Sequence, residues 1–256
     1  MNYLMVIEYC GANYNGWQVQ NGAIAKDKNK TIENEILKAI KVVTKFDVKL
    51  LVSGRTDAGV HALNQVANFK LPYYYDLNKL KIALNGIMPP DISVKNIEIA
   101  HDSFHATRDA VSKTYLYKIN SGFKSPLLSG RSWFIKEDLN INLMKESSDI
   151  FLGKNNFFNF VKREKGKKSV NYCRVIKEIK ICEKSYGLNI FIEGEGFLRN
   201  MVRRIVGSLI LCGTGKINNF VLRDMLTGEN RPFNRICAPS CGLFLYSVKY
   251  GHKIYS

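Results

Sequence analysis

The chain predicts an α+β protein in two lobes, and three observations carry that prediction. Apolar residues recur with period two in some segments and at helical spacing in others, interleaved along the whole length. The strand and helix signals come in two successive sets, although no residue-level repeat relates them. A length of 256 residues allows one large domain or two modest ones. The lobes are set at 1–105 and 106–256, and Asn120 to Arg131, rich in Gly, Ser and Pro, marks a crossover or lobe boundary.

In order, "YLMVIEY" (Tyr3 to Tyr9) is apolar enough for a buried strand. Thr31 then caps a helix with Glu33 and Glu35 in its first turn and a stripe of Ile32, Ile36, Ile40 and Val43. "DVKLLVSG" reads as a strand, and "QVANFKL" as another, with Ala67, Phe69 and Leu71 on one face and Val66, Asn68 and Lys70 on the other. Leu77, Leu80, Leu84 and Ile87 mark a helix stopped by Pro89-Pro90. "ISVKNIEIA" and "KTYLYKIN" are further strands, the second with Tyr115, Tyr117 and Ile119 on one face. In the second half, Asn140 to Leu152 is helical and ends at Gly153. "RVIKEIKICEKSYGLNIFIEGEG" is a hairpin turning at Lys184 to Gly187. Phe197 to Cys212 is a helix, Asn219 to Leu226 a short one, and "GLFLYSVKY" the last strand.

Nearly half the residues are hydrophobic and the charged fraction is ordinary, which excludes a disordered chain. The longest apolar run, Ile205 to Cys212, is far short of the roughly 20 residues a bilayer requires. "MNYLMVIEY" lacks the basic head and cleavage site of a signal peptide, so a mature cytoplasmic start is expected. Lys and Arg number 38 against 22 acidic residues, a net charge of +16. Such a surface attracts polyanions, nucleic acid first, with ribosome association or an anionic membrane as the other fits. No basic amphipathic anchor helix supports the membrane. The six cysteines include no Cys-x-x-Cys pair and only four histidines accompany them, so no zinc spacing exists. All six are expected as reduced thiols.

Three segments could carry chemistry. The first is "SGRTDAGVHA" (Ser53 to Ala62), which gathers Arg55, Thr56, Asp57 and His61 between glycines. A structural turn, with Asp57 bonded to backbone and paired with Arg55, would explain it. So would a catalytic loop, since reactive groups concentrate on loops held by a rigid scaffold. The second is "GFLRNMVRRIVGSLIL". As one helix it buries Leu198, Met201 or Val202, Ile205 and Leu209, and sets Arg199, Arg203 and Arg204 off that stripe. Arg199 and Arg203, four apart, are then neighbours, and three such cations form either a solvated face or a seat for a carboxylate or phosphate. The third is "SFHATRDAVSKTYLY". Tyr115 and Tyr117 either pack in the core or, beside Lys113 and Arg108, stack a base, while His105 reads as a structural hydrogen-bonder. "VKREKGKKS" (Val161 to Ser169) is a solvated loop or an RNA contact. No histidine pair, phosphate-cradling glycine loop or dinucleotide fingerprint appears, which leaves Asp57 as the best candidate for a reactive group.

These segments, in this order and over nearly the whole chain, resemble the TruA family of tRNA pseudouridine synthases. "EYCGANYNGWQVQ" (Glu8 to Gln20) is similar to the family's N-terminal signature, and "GRTDAGVHA" to its active-site motif without a break. "LNGIMPPDI", "SFHA", "KTYLY", "GFLRNMVRRIVG" and "APSCGLFLYSVKY" follow. Thr107, with Arg108 next, stands where the family has an arginine, and Asn171 where a threonine is expected. The resemblance implies two ferredoxin-like lobes sharing a central, mostly antiparallel sheet, with helices on one side and a basic active-site cleft, in a homodimer. It implies isomerisation of uridine to pseudouridine at positions 38–40 of the tRNA anticodon stem-loop, with no cofactor and no metal. Carried over by position, Asp57 is the nucleophile, and Arg203 would pair with it and favour its ionised form. Tyr115 would pack on the target base and could assist proton transfer. Arg55 would help displace the flipped nucleotide. Leu243 would line the pocket, and Arg199, Arg204 and His61 join Tyr115 and Arg55 as substrate-binding candidates. The alternative is a non-catalytic tRNA-binding or RNA-chaperone protein on the same scaffold. Charge and tyrosines suit both, whereas binding alone requires neither Asp57 nor Arg203.

Overall fold

Strand β1 (Asn2–Tyr9) is buried along nearly its whole length, as its apolar composition predicts. The computed structural model describes residues 1–18, 30–162, 170–227 and 236–251. The part of the lysine-rich stretch from 163 to 169 lies outside the described residues. Compactness divides the chain within a strand, between Lys113 and Thr114, where the sequence placed the division at 105/106. One unit is Met1–Lys113 with the chain from Phe244 onward, and the other is Thr114–Leu243. Asn120 to Arg131 therefore lies inside the second unit.

In the first unit β1 is followed by α1 (Ile32–Thr44), β2 (Leu51–Val52), β3 (His61–Lys70), α2 (Leu77–Ile87) and β4 (Ile92–Ala100). β1 runs antiparallel to β3, from Asn2↔Lys70 to Tyr9↔Ala62, and antiparallel to β4 on its other side. β2 pairs antiparallel with β3 at Leu51↔Asn68 and Val52↔Ala67. The order β4-β1-β3-β2 with two crossover helices is the split β-α-β of ferredoxin-like folds. β10 (Leu243–Tyr250) joins in parallel to β3 at Phe244↔His61 and Leu245↔Ala62. Since β1 occupies one edge of β3, its other edge is shared, β2 on the later half and β10 on the earlier.

The helices follow their sequence signals. Thr31 Oγ1 accepts from Asn34 N, a cap worth about 1 kcal/mol, and Ile32, Ile36 and Ile40 are buried. α1 ends at Lys45 in the left-handed conformation, φ 68°. Asp76 caps α2, which buries Leu80 and Leu84 and stops before Pro89. Ile87, expected on the buried stripe, is 43% exposed.

β3 departs from the simple alternation. It begins at His61, and both its faces are covered. On one face Leu4, Val66, Ala100, Phe104 and Ala106 form a separate core with Val6, Val248 and Tyr250 against it. Asn68 is buried but fully engaged: its amide donates to Asn2 Oδ1 and the Phe104 carbonyl, and its oxygen accepts from Ala106 N. Periodicity read from one strand cannot reveal a second layer supplied by residues 100–106 and 248–250.

The second unit repeats the run of elements. β5 (Ala110–Ser121) enters it from the first, followed by β6 (Trp133–Ile135), α3 (Ile141–Ser148), β7 (Gly153–Asn156), β8 (Cys173–Lys184), β9 (Gly187–Gly194), α4 (Met201–Gly213) and α5 (Asn219–Thr227). Its strands are ordered β5-β9-β8-β7, with β6 parallel to β5. The β8–β9 hairpin closes at Lys184↔Gly187 as expected. Gly187 is required there: its φ is 134°, and a β-carbon would sit 2.4 Å from the Ile119 carbonyl oxygen. Asn140 caps α3, which meets α4 so closely that a β-carbon on Gly213 would lie 2.6 Å from Met144 Cγ.

One helix starts later than its sequence suggests. α4 begins at Met201, because Asn200 adopts φ 63° and ends the turn before it. Arg199 is therefore outside the helix, so helical i, i+4 spacing does not relate it to Arg203. Met201, Val202, Ile205 and Leu209 make the buried stripe as predicted, while Leu198 precedes the helix.

Candidate active site

The loop from Ser53 to Val60 is held from behind by a buried polar chain. Ser53 N donates to the Val66 carbonyl, and Ser53 Oγ to Gln65 Oε1 at 2.6 Å. Gln65 Nε2 donates in turn to the Gly54 carbonyl at 2.9 Å and to Tyr9 OH at 3.3 Å. The Tyr9 hydroxyl shares a 2.8 Å hydrogen bond with Thr56 Oγ1. Burial pushes the Tyr9 phenol up to about 12, against the pull of its bonds to Thr56 and Gln65. It stays neutral at any working pH and serves as a hub. Val60 N closes a turn onto the Asp57 carbonyl.

The N-terminal signature forms the back wall of this loop. Trp17 N donates to the Thr56 carbonyl and Gly59 N to the Tyr14 carbonyl. A β-carbon on Gly11 would lie 1.9 Å from the Val60 carbonyl oxygen. Gly16 has φ 94°, and a β-carbon there would lie 2.7 Å from the Thr56 carbonyl oxygen. Both glycines are thus fixed by close approach to the loop. Gly16→Ala is expected to destabilise the protein by about 1–3 kcal/mol, read as a lower urea midpoint; an unchanged midpoint would show that the wall does not hold the loop.

Supported in this way, Asp57 is half-buried at the loop's turn and Arg55 is exposed. Arg55 faces Glu33 in the first turn of α1. Burial raises the Glu33 carboxyl above its ordinary value, and the Arg55 charge works against it. A carboxylate from another element, which the sequence did not point to, thus lies within the reach of the Arg55 charge. His61 is not a loop residue. It opens β3 at 2% exposure, its Nδ1 accepts from Gly11 N at 3.2 Å, and its ring stacks on Phe244 at 4.6 Å. Those contacts pack the ring at the start of β3, beside the loop.

In the second unit three motifs converge. Tyr115 on β5 is 8% exposed and meets Phe197 edge to face, centroids 5.1 Å apart. Tyr117 is core: its hydroxyl donates to the Pro239 carbonyl and its ring lies edge-on to Trp133. Gly242 abuts that ring so closely that a β-carbon would lie 2.6 Å from it. Arg203 Nε donates to the Ala238 carbonyl at 2.6 Å, and Ala238 N donates back to the Arg203 carbonyl. This reciprocal pair ties α4 to "APSCGLF". Arg199, Arg203 and Arg204 are each half-buried, and the Nε atoms of Arg199 and Arg204 are turned away from solvent. Leu243, at the start of β10, is buried.

His105 is structural, as read: its backbone N–H donates to Asp109 and its ring accepts from Thr107 N. The cysteines are all free thiols. Among the described residues no group of three or more His, Cys, Asp or Glu could hold a metal ion. Sequence reasoning missed Gln65, Phe197 and the carbonyl of Ala238. Only the glycines at 11 and 16, close to Tyr14 and Trp17, signalled a back wall.

The fold and its motifs define an α+β enzyme of the pseudouridine synthase class. A family model described as tRNA pseudouridine synthase matches residues 148–251. A tRNA pseudouridine synthase A of a Thermoanaerobacter species is 40% identical over 250 residues, covering 97% of this chain and 99% of that protein. A tRNA pseudouridine synthase A 2 of Clostridium tetani is 39% identical over 251 residues, covering 97% and 98%. One of Bacillus cereus is 36% identical over 250 residues, covering 97% and 99%. The chain belongs to the tRNA pseudouridine synthase A family.

Proposed function

We propose that this protein isomerises uridine to pseudouridine in the anticodon stem-loop of tRNA, at positions 38–40, with Asp57 as the nucleophile. The observation that carries the assignment of Asp57 is the uninterrupted run Gly54 to Ala62, in a family member, on a loop fixed from behind by Gln65, Tyr9 and the N-terminal signature. The reaction balances without a co-reactant. The bond from uracil N1 to ribose C1′ breaks, a bond from C5 to C1′ forms, the C5 proton departs, and N1 gains a proton. It calls for a nucleophile, a charge stabiliser and a group that holds the freed base.

Tyr115 is proposed to pack on that base, with Phe197 fixing its ring, and Arg203 to stabilise the charge on Asp57. Arg55, exposed at the loop tip, takes the place of the uridine as it leaves its stack. Leu243, Arg199 and Arg204 belong to the RNA-facing set. By the same family resemblance the enzyme works as a cytoplasmic homodimer. No described helix is long and apolar enough to cross a membrane.

The test is incubation with an unmodified tRNA transcript followed by chemical mapping of pseudouridine; an unmodified product at all three positions would overturn the reading. A second expectation follows from the net charge of +16. If several phosphates are contacted, tRNA affinity falls by about 10³-fold between 50 and 200 mM salt. A flat salt response in a filter-binding titration would contradict it.

A further inference from the structure

Lys113 is a half-buried ammonium beside the catalytic loop, with no part in the scheme above. It is the fourth residue of β5 and the last of the first unit. Its side chain lies along Gly54: a β-carbon there would sit 3.5 Å from Nζ, 3.6 Å from Cε and 3.8 Å from Cδ. Gly54 is itself immobilised through its carbonyl by Gln65, stands next to Arg55 and is three residues before Asp57. The ammonium is therefore held against a fixed point of the loop, not swung freely in solvent.

Burial depresses the Lys113 ammonium below the ordinary lysine value, and no carboxylate among the described residues opposes that effect. Withdrawing an ammonium from water without a counter-ion or hydrogen-bond acceptor costs stability. Lysines that serve only solubility stay out in solvent on their long stems. A cation kept at such a cost beside a reactive loop fits an anion that arrives with the substrate, and RNA carries one phosphate per nucleotide.

We propose that Lys113 Nζ binds a backbone phosphate of the RNA strand at the target uridine and so positions that nucleotide against the catalytic loop. The inference rests on the functional reading above. Alternation along β5 gives Lys113 and Tyr115 the same face, two residues apart, so the phosphate and the base of one nucleotide fall to one strand. Lys113 thus acts on substrate placement, and its charge, not its basicity, is what counts.

The experiment compares Lys113→Met and Lys113→Arg with wild type, using the full chain and an unmodified tRNA transcript. Lys113→Met is expected to lower kcat/KM by about 10- to 100-fold. It should also reduce the slope of log affinity against log salt by about 1. Its melting temperature should stay level or rise, since an uncompensated charge has been removed. Lys113→Arg should recover kcat/KM to within a few-fold. A lowered melting temperature in Lys113→Met would overturn the proposal in favour of a structural role. Lys113→Arg as inactive as Lys113→Met, with the acidic limb of the pH–rate profile lost, would overturn it in favour of a proton acceptor. Unchanged kcat/KM and salt slope would leave Lys113 no role. A wild-type chain that binds the transcript but makes no pseudouridine defeats the functional reading alone, because the salt slopes and melting temperatures still decide on Lys113.

Discussion

Asp57→Asn is expected to abolish pseudouridine formation, a fall of more than about 10³-fold in kcat, while tRNA affinity stays within a few-fold of wild type. The substitution keeps the shape of the side chain and removes the oxygen proposed as the nucleophile. The loop should survive it, because its anchors run through Ser53, Gly54, Thr56 and the backbone of Asp57 and Val60. Binding should not suffer, since losing a negative charge beside a polyanion removes a repulsion. Single-turnover assays with a labelled transcript, paired with filter binding, measure both quantities. Substantial residual turnover would remove Asp57 from its role. A variant that neither turns over nor binds would show that the carboxylate holds the fold. A wild type that binds but never turns over would favour a non-catalytic binding protein on this scaffold.

Arg203→Leu is expected to have the second-largest effect, a loss of about 10²-fold or more in kcat/KM. It also leaves the Ala238 carbonyl without its 2.6 Å donor, at a cost of about 1–3 kcal/mol. The two consequences separate by comparison with Arg203→Lys, which keeps the charge but not the guanidinium Nε bond. If charge is what the reaction uses, lysine recovers much of the activity while the urea midpoint stays low. If Arg203 acts through Asp57, adding Arg203→Leu to Asp57→Asn costs little further activity, as groups working as one unit are not additive. A wild-type rate in Arg203→Leu would end its assignment as the partner of Asp57.

Local signals in the sequence read through to structure where a few neighbouring residues decide the outcome. The Thr31 cap, the Ile32-Ile36-Ile40 stripe, the Pro-terminated α2 and the Lys184–Gly187 hairpin are of that kind. The strand signals failed where a distant segment intervenes: β3 is coated on both faces because residues 100–106 supply a second layer. The start of α4 escaped notice because a left-handed Asn200 interrupts an otherwise continuous helical pattern. At the candidate site, the motif singles out Asp57 as an expectation, but its setting was hidden. The Gly11 and Gly16 contacts span about fifty and forty residues, and a motif read alone does not name what stands behind it. His61 is another case: nothing in the motif alone tells that its imidazole accepts from Gly11 N and stacks on Phe244.

The shared edge of β3 has a consequence for synthesis. The second unit is one continuous run, Thr114–Leu243, and emerges whole from a ribosome. The first cannot finish until β10, the last of the described strands, lies down beside His61 and Ala62. Until then β3 has an open edge one residue past the reactive loop, the kind of edge that pairs with strangers. Phe244 closes it by stacking on His61. The edge of β3 beside the Ser53–Val60 loop is thus closed by a strand made about 180 residues after that loop, so the loop's surroundings are complete only late in synthesis.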